Sequence, residues 1–234
     1  MIFQNDQGMQ KKSFYEHYEV NTRMDAFSDG VFAIVVTLLV LELRVPELRN
    51  PTVSELWQGL LKLKSSFVSF ALSFFYVASV WYTHVYLFKV LNRVDSVIIW
   101  LNNLSLFFIC FIPFPTALIG QYTHNSLAAA IFGIVVFLLL ATNCLIIWYS
   151  MFKNDFLDTN LDKATIRANA KVVFWLLPFS IVPIVLSFVN PLISVIIYFC
   201  MVTSSIVLAV RTKMAGLSEE RYEDAGGEEA GGSS

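Results

Sequence analysis

Long apolar windows recur along the chain with short polar interruptions. Six of them have the length needed to cross a hydrocarbon core of about 30 Å as a helix: Met24–Leu43, Ser66–Leu87, Val94–Ile119, Ser126–Met151, Lys171–Val189 and Pro191–Val210. The apolar runs are continuous, without the two-residue alternation of a membrane barrel, so helices are predicted and strands are not. Pro113, Pro115, Pro178 and Pro183 fall inside the windows, where a missing N–H and a ring clash bend helices. Asn190-Pro191 reads as a tight turn between the last two. The expected architecture is an all-α membrane protein of six transmembrane helices spanning residues 24–213. A polar segment, 1–23, precedes it and a Gly- and Glu-rich tail, 214–234, expected to be disordered, follows it.

Lys and Arg positions orient this bundle, because cytoplasmic loops accumulate positive charge. Twelve of them fall on the side of the N-terminal segment, the second and fourth loops and the tail, and only Arg44, Arg49, Lys62 and Lys64 fall on the other. Both termini are therefore expected in the cytoplasm of a multi-pass cell-membrane protein. Val45–Ser65 and Gln121–Asn125 then face outward, and the longest loop, Phe152–Ala170, lies inside. The segment 1–23 lacks the apolar core and cleavage site of a signal peptide, so the first helix is expected to be retained.

Composition agrees with a lipid-solvated fold: 56% hydrophobic and only 15% charged residues, against roughly 25% charged in soluble domains. A net charge of −2 offers no basic surface for nucleic acid. Cys110, Cys144 and Cys200 lie apart in apolar segments, which suggests neither a disulfide framework nor a metal site. No cofactor is implied. The short loops leave no room for a soluble catalytic domain, and the embedded ionisable candidates for catalysis reduce to Asp29 and His84, so an enzyme is not expected.

The first window carries the chemistry. Asp29 stands about five residues into a membrane helix, where a carboxylate needs a partner. With a helical rise of about 1.5 Å per residue, Asp29, His84 on the second helix and Asn102 on the third reach similar depths, so Arg23, Asp29, His84 and Asn102 are expected to meet in a structural polar network. Ile34, Leu38 and Leu41 form a separate stripe at i, i+4, i+7, with Thr37 at its flank and Asp29 some 140° away. Spacing alone fits that stripe to helix packing or lipid contact.

The string Arg23-x-x-x-Phe27-Ser28-Asp29 followed by Gly30-Val31-Phe32-Ala33-Ile34 resembles the signature of the transmembrane protein 175 family of potassium channels. The resemblance continues through Trp81-x-x-His84, Asn102 and Pro113-Phe114-Pro115, covering the first half of the chain in detail. It implies a prokaryotic-type subunit with a single six-helix repeat, four of which assemble as a homotetramer with the first helices around a central pore. It also implies that Ile34, Leu38 and Leu41 form the constriction, with Thr37 nearby, that K⁺ is the permeant ion, and that Arg23, Phe27, Ser28, Asp29, His84 and Asn102 belong to the structural motif. The Thr-Val-Gly-Tyr-Gly filter and the Arg-rich voltage sensor of other potassium channels are absent from the sequence. The expected function is a K⁺-permeable channel moderately selective over Na⁺. A secondary transporter of a cation or small solute is the competing expectation.

Overall fold

The computed structural model describes residues 2–49, 52–91, 94–152 and 163–198, together with 200, 201 and 204. Most of the loop 152–170, the sixth window beyond residue 198 apart from three positions, and the tail 214–234 lie outside the described residues. What is described is helical: α1 Ile2–Leu39, α2 Val53–Lys62, α3 Lys64–Val90, α4 Ser96–Phe111, α5 Pro113–Gln121, α6 Ser126–Phe152, α7 Lys163–Phe179 and α8 Ile181–Ser187. Among these residues five stretches are long and apolar enough to span a membrane: Val20–Glu42, Lys64–Val90, Ser96–Gln121, Ser126–Met151 and Ala170–Ser187.

Two elements differ from the sequence expectation. Residues 2–23 of the polar segment continue the first helix without a break, so α1 begins at Ile2, well ahead of Met24. The loop Val45–Ser65 contains α2, which starts where the Thr52 hydroxyl accepts from the Glu55 N–H at 3.2 Å. The Glu55 carboxylate accepts in turn from the Arg49 N–H at 3.0 Å, tying the helix start to the chain that leads into it.

Elsewhere the breaks follow from the residues. The third span divides at Ile112 because Pro113 cannot continue the α4 ladder yet suits the first turn of α5. Asp95 caps α4, accepting from the Val97 and Ile98 N–H groups at 3.0 Å each, and its second oxygen accepts from the Tyr149 hydroxyl at 2.6 Å, which fixes α6 to the same end of the bundle. A turn at Ser180 separates α7 from α8, and Asn190 caps the helical residues 191–198 through Leu192 and Ile193.

Close packing depends on small residues, as expected where lipid supplies no hydrophobic drive between helices. A Cβ on Gly120 would come within 2.8 Å of Ser69 Oγ and 3.0 Å of Ser66 Cα, so α3 and α5 approach to near contact, joined by the Ser73–Thr116 hydroxyl pair at 2.6 Å. The resulting core gathers Phe32, Val35 and Leu39 of α1 with Val77, Leu106, Ile109, Ile112, Val135 and Leu139. A second cluster around Met24, Phe88, Ile98 and Ile146 closes the other end of the bundle. α1 is thereby held along one side, chiefly by α3 and α4 and near its end by α5.

Candidate functional site

The side by which α1 is held is a stripe of five buried residues, Met24, Ser28, Phe32, Val35 and Leu39, at helical spacing. With about 100° per residue, that stripe lies about 80–160° around the axis from Ile34. Asp29 lies beyond the far edge of the stripe and is exposed.

The polar members of the buried side form a directed chain of hydrogen bonds. Ser28 Oγ donates to the Met24 carbonyl at 2.9 Å, so its proton is committed. It therefore accepts from Asn102, whose Nδ2 lies 3.0 Å away. That orientation turns Asn102 Oδ1 toward His84 Nε2 at 2.9 Å, and an amide oxygen there requires the imidazole nitrogen to carry a proton and donate. All three side chains are buried, and Phe32 and Phe88 pack against the imidazole with ring centroids 5.4 and 4.5 Å away. Each of the three side chains has a hydrogen-bond partner within the subunit, which the low dielectric of a membrane interior demands.

Four of the six motif residues stand in hydrogen-bonded positions of this kind, but not in the arrangement expected from depth. Asp29 does not join His84. Its Oδ1 accepts from the indole N–H of Trp81 at 2.8 Å, one turn along α3 from His84. Arg23 and Phe27 are exposed and stand apart from the network among the described residues. The physical reason is azimuth: both lie within about 20° of Ile34 on the helical wheel, on the side away from Ser28. Depth along the axis puts them level with the network, and the helix phase turns them away from it. Trp81 as the carboxylate's partner is absent from the sequence expectation; its signal there is the Trp81-x-x-His84 spacing, which sets both side chains on one face of α3.

The opposite stripe is exposed among the described residues. Phe27 is 60% exposed, Ile34 60%, Leu38 40% and Leu41 68%, and a Cβ on Gly30 would meet nothing within 4 Å. Thr37 stands at the flank with its hydroxyl donating to the Ile34 carbonyl at 2.7 Å, which leaves the oxygen lone pairs directed outward. Toward the end of the helix Leu38, Leu41 and Glu42 open onto a recess of about 540 Å³ bounded across from them by Phe114, Ala117 and Gln121. Arg44 lines the same recess, so its guanidinium opposes the field of Glu42 there.

Residues 23–113, which contain both faces of α1 and all the network partners named above, match the family described as the endosomal/lysosomal potassium channel TMEM175. Over 150 residues the chain is 31% identical to a potassium channel of Streptomyces collinus, a match covering 62% of this chain and 72% of that relative. The chain belongs to the TMEM175 family. A potassium channel of Chamaesiphon minutus is 42% identical over 100 residues, covering 43% of this chain and 49% of its own length, so the match spans about half of that relative. The crystal structure of a lysosomal potassium-selective channel TMEM175 homolog from Chamaesiphon minutus superposes with a TM-score of 0.74 at 27% identity, over 82% of this chain and 98% of that one. The family is one of ion channels, and this member is a multi-pass helical membrane protein.

Proposed function

We propose that the protein is a potassium-permeable channel whose pore is lined by the exposed face of α1 in a homotetramer, with both termini in the cytoplasm. One observation carries the reading. Within the segment that matches the family, the first helix packs one side, Met24, Ser28, Phe32, Val35 and Leu39, in its own subunit and leaves an apolar stripe, Ile34, Leu38 and Leu41, exposed among the described residues. Four copies of that stripe around an axis would make a narrow apolar ring.

Such a ring works by what it withholds. It offers an ion no ligands, so the ion must give up part of its hydration shell at a cost, and K⁺ gives up water at lower cost than Na⁺. Selectivity of this origin is real but incomplete. Thr37 adds a hydroxyl oxygen whose own proton is occupied by the Ile34 carbonyl, and an oxygen in that state presents lone pairs to a cation. Glu42 would draw cations to the outer mouth less strongly than a lone carboxylate, because Arg44 shares its recess.

Purified protein reconstituted in planar bilayers should pass K⁺ in unitary current steps, with a bi-ionic K⁺/Na⁺ reversal potential displaced toward K⁺ permeability. Flux that saturates without unitary events and is coupled to a second solute would replace the channel by a secondary transporter, and an absence of any flux from correctly assembled protein would leave a purely structural role.

A further inference from the structure

We propose that α2 is a membrane-surface anchor whose apolar face lies in the headgroup and upper acyl region of the leaflet beside the outer end of α1. The argument begins with the wheel of this short helix. Val53, Leu56, Trp57, Leu60 and Leu61 occupy a sector about 140° wide, and Ser54, Glu55, Gln58, Gly59 and Lys62 take the remainder. The helix has no buried residue, and every member of the apolar sector is exposed, Trp57 at 63% and Val53 at 88%.

What α2 touches in its own subunit is the opposite side. A Cβ on Gly59 would lie 2.8 Å from Pro46 Cβ and 3.4 Å from Leu48 Cδ2, and the Glu55 carboxylate binds the Arg49 N–H. The segment leading out of α1 thus supports the helix from its glycine and carboxylate side and leaves the apolar sector turned outward. Exposed apolar side chains in that number would be costly in water, at about 25 cal/mol for each Å².

Position in the chain assigns the occupant. α2 lies between two spans, and α3, at 27 residues, is by itself about 40 Å long, more than the hydrocarbon thickness. α2 is therefore held at the level of the membrane surface. An amphipathic helix at that level, with an indole within its apolar face, has the composition of an interfacial element: the ring sits among upper acyl chains and its N–H reaches the headgroups. Lys62 on the polar side and Lys64 at the start of α3 put two ammonium groups where lipid phosphates lie. The anchor's consequence is positional. Only residues 40–52 separate α2 from the end of α1, so holding α2 in the leaflet restrains the outer end of the first helix.

The experiment is a nitroxide scan in a background in which Cys110, Cys144 and Cys200 are replaced, with single cysteines at Val53, Leu56, Trp57, Leu60 and Leu61 and at Ser54, Gln58 and Lys62. The labelled protein is reconstituted in phosphatidylcholine and phosphatidylglycerol vesicles. Power saturation then compares collisions with O₂, which concentrates in lipid, and with a water-soluble nickel chelate. O₂ should exceed the chelate by about twofold or more on the apolar set and fall below it on the polar set. Chelate access at both sets would overturn the proposal in favour of a helix projecting into water. Low access to both reagents on the apolar set, with dipolar broadening between labels, would replace the lipid by a second copy of the chain. The inference rests on the membrane-spanning fold and not on ion conduction, so K⁺ currents from the same labelled proteins test the channel reading separately.

Discussion

The two sides of α1 differ in kind, although they run along the same stretch of helix. On one side Ser28 is buried and bound to Asn102 of α4, which in turn binds His84 of α3, all within the subunit. On the other Ile34, Leu38 and Leu41 are apolar and exposed among the described residues. The buried side is itself mostly apolar, with Met24, Phe32, Val35 and Leu39, and Ser28 is the polar position packed among them. Lipid removes the hydrophobic preference for the interior, and the residues that must find partners are then the polar ones. The side that holds the polar network therefore specifies how the subunit folds, and the exposed stripe is free to be used between subunits. Substitutions on the two sides should accordingly fail in different ways.

The largest effect is expected at Asn102, which bridges α1, α3 and α4 by itself. Asn102→Ala leaves the His84 donor without an acceptor and Ser28 with an unused lone pair, at about 1–3 kcal/mol for each buried group stranded. The yield of folded oligomer on size-exclusion chromatography should drop severely. Normal assembly together with lost K⁺ selectivity would erase the distinction between the two sides, because it would move the polar network into the permeation path.

Next comes the stripe, where Ile34→Asn should leave assembly intact, raise unitary conductance several-fold and bring the K⁺/Na⁺ permeability ratio close to unity, since a polar ring holds water that hydrated ions can share. Leu38→Asn should act in the same direction with a smaller amplitude, in keeping with its lower exposure. Bi-ionic reversal potentials measure both. Unchanged ratios in both variants would place the selective constriction on another helix.

A smaller effect is expected at Trp81, whose indole holds Asp29 from an exposed position. Trp81→Phe keeps an aromatic ring and removes the donor, so thermal stability of the oligomer should fall by about 1 kcal/mol, well short of the Asn102 effect. A loss as large as that of Asn102→Ala would mean that Asp29 is buried against a neighbouring copy in the assembled protein.

How much of this is legible in the sequence follows from what a sequence encodes along an axis and what it does not. Apolar windows locate five spans, and Pro113 marks the break at Ile112, because both are properties of consecutive residues. Of the sixth window, Pro191–Val210, only residues 191–198, 200, 201 and 204 are among the described residues. Asp29, His84 and Asn102 stand out as polar groups at similar depth. Their pairing does not, because depth along each helix says nothing about which way neighbouring helices are rotated, and rotation is what sends Asp29 to Trp81 and His84 to Asn102. Arg23 and Phe27 show the same gap within one helix: a motif read as a string groups them with Ser28, and the helical step of about 100° separates them. The signal for α2 is present in Thr52-x-x-Glu55 ahead of an amphipathic run, yet it sits inside a segment too short to span and so reads as a loop. The extension of α1 before Met24 leaves no comparable trace, since the segment 1–23 shows no apolar periodicity to mark it as helix.

The finest test of the division is Thr37, which lies on the exposed side at the flank of the apolar stripe and differs from that stripe in chemistry. Its hydroxyl proton is spent on the Ile34 carbonyl at 2.7 Å, an i to i−3 bond that a membrane helix tolerates because the oxygen still faces outward. Thr37→Val keeps the shape and removes both the proton and the lone pairs, Thr37→Ala removes the bulk as well, and Thr37→Ser keeps the oxygen while dropping only a methyl group. If the oxygen helps a partly dehydrated K⁺ past the ring, the valine and alanine variants should lower the K⁺/Na⁺ ratio by about twofold while serine retains it, with assembly unchanged in all three, because a single shared ligand contributes only a fraction of an ion's coordination. Should alanine and serine lower the ratio alike while valine preserves it, side-chain volume and not the hydroxyl would be what matters at position 37, and the apolar side would act as a sieve of bulk alone.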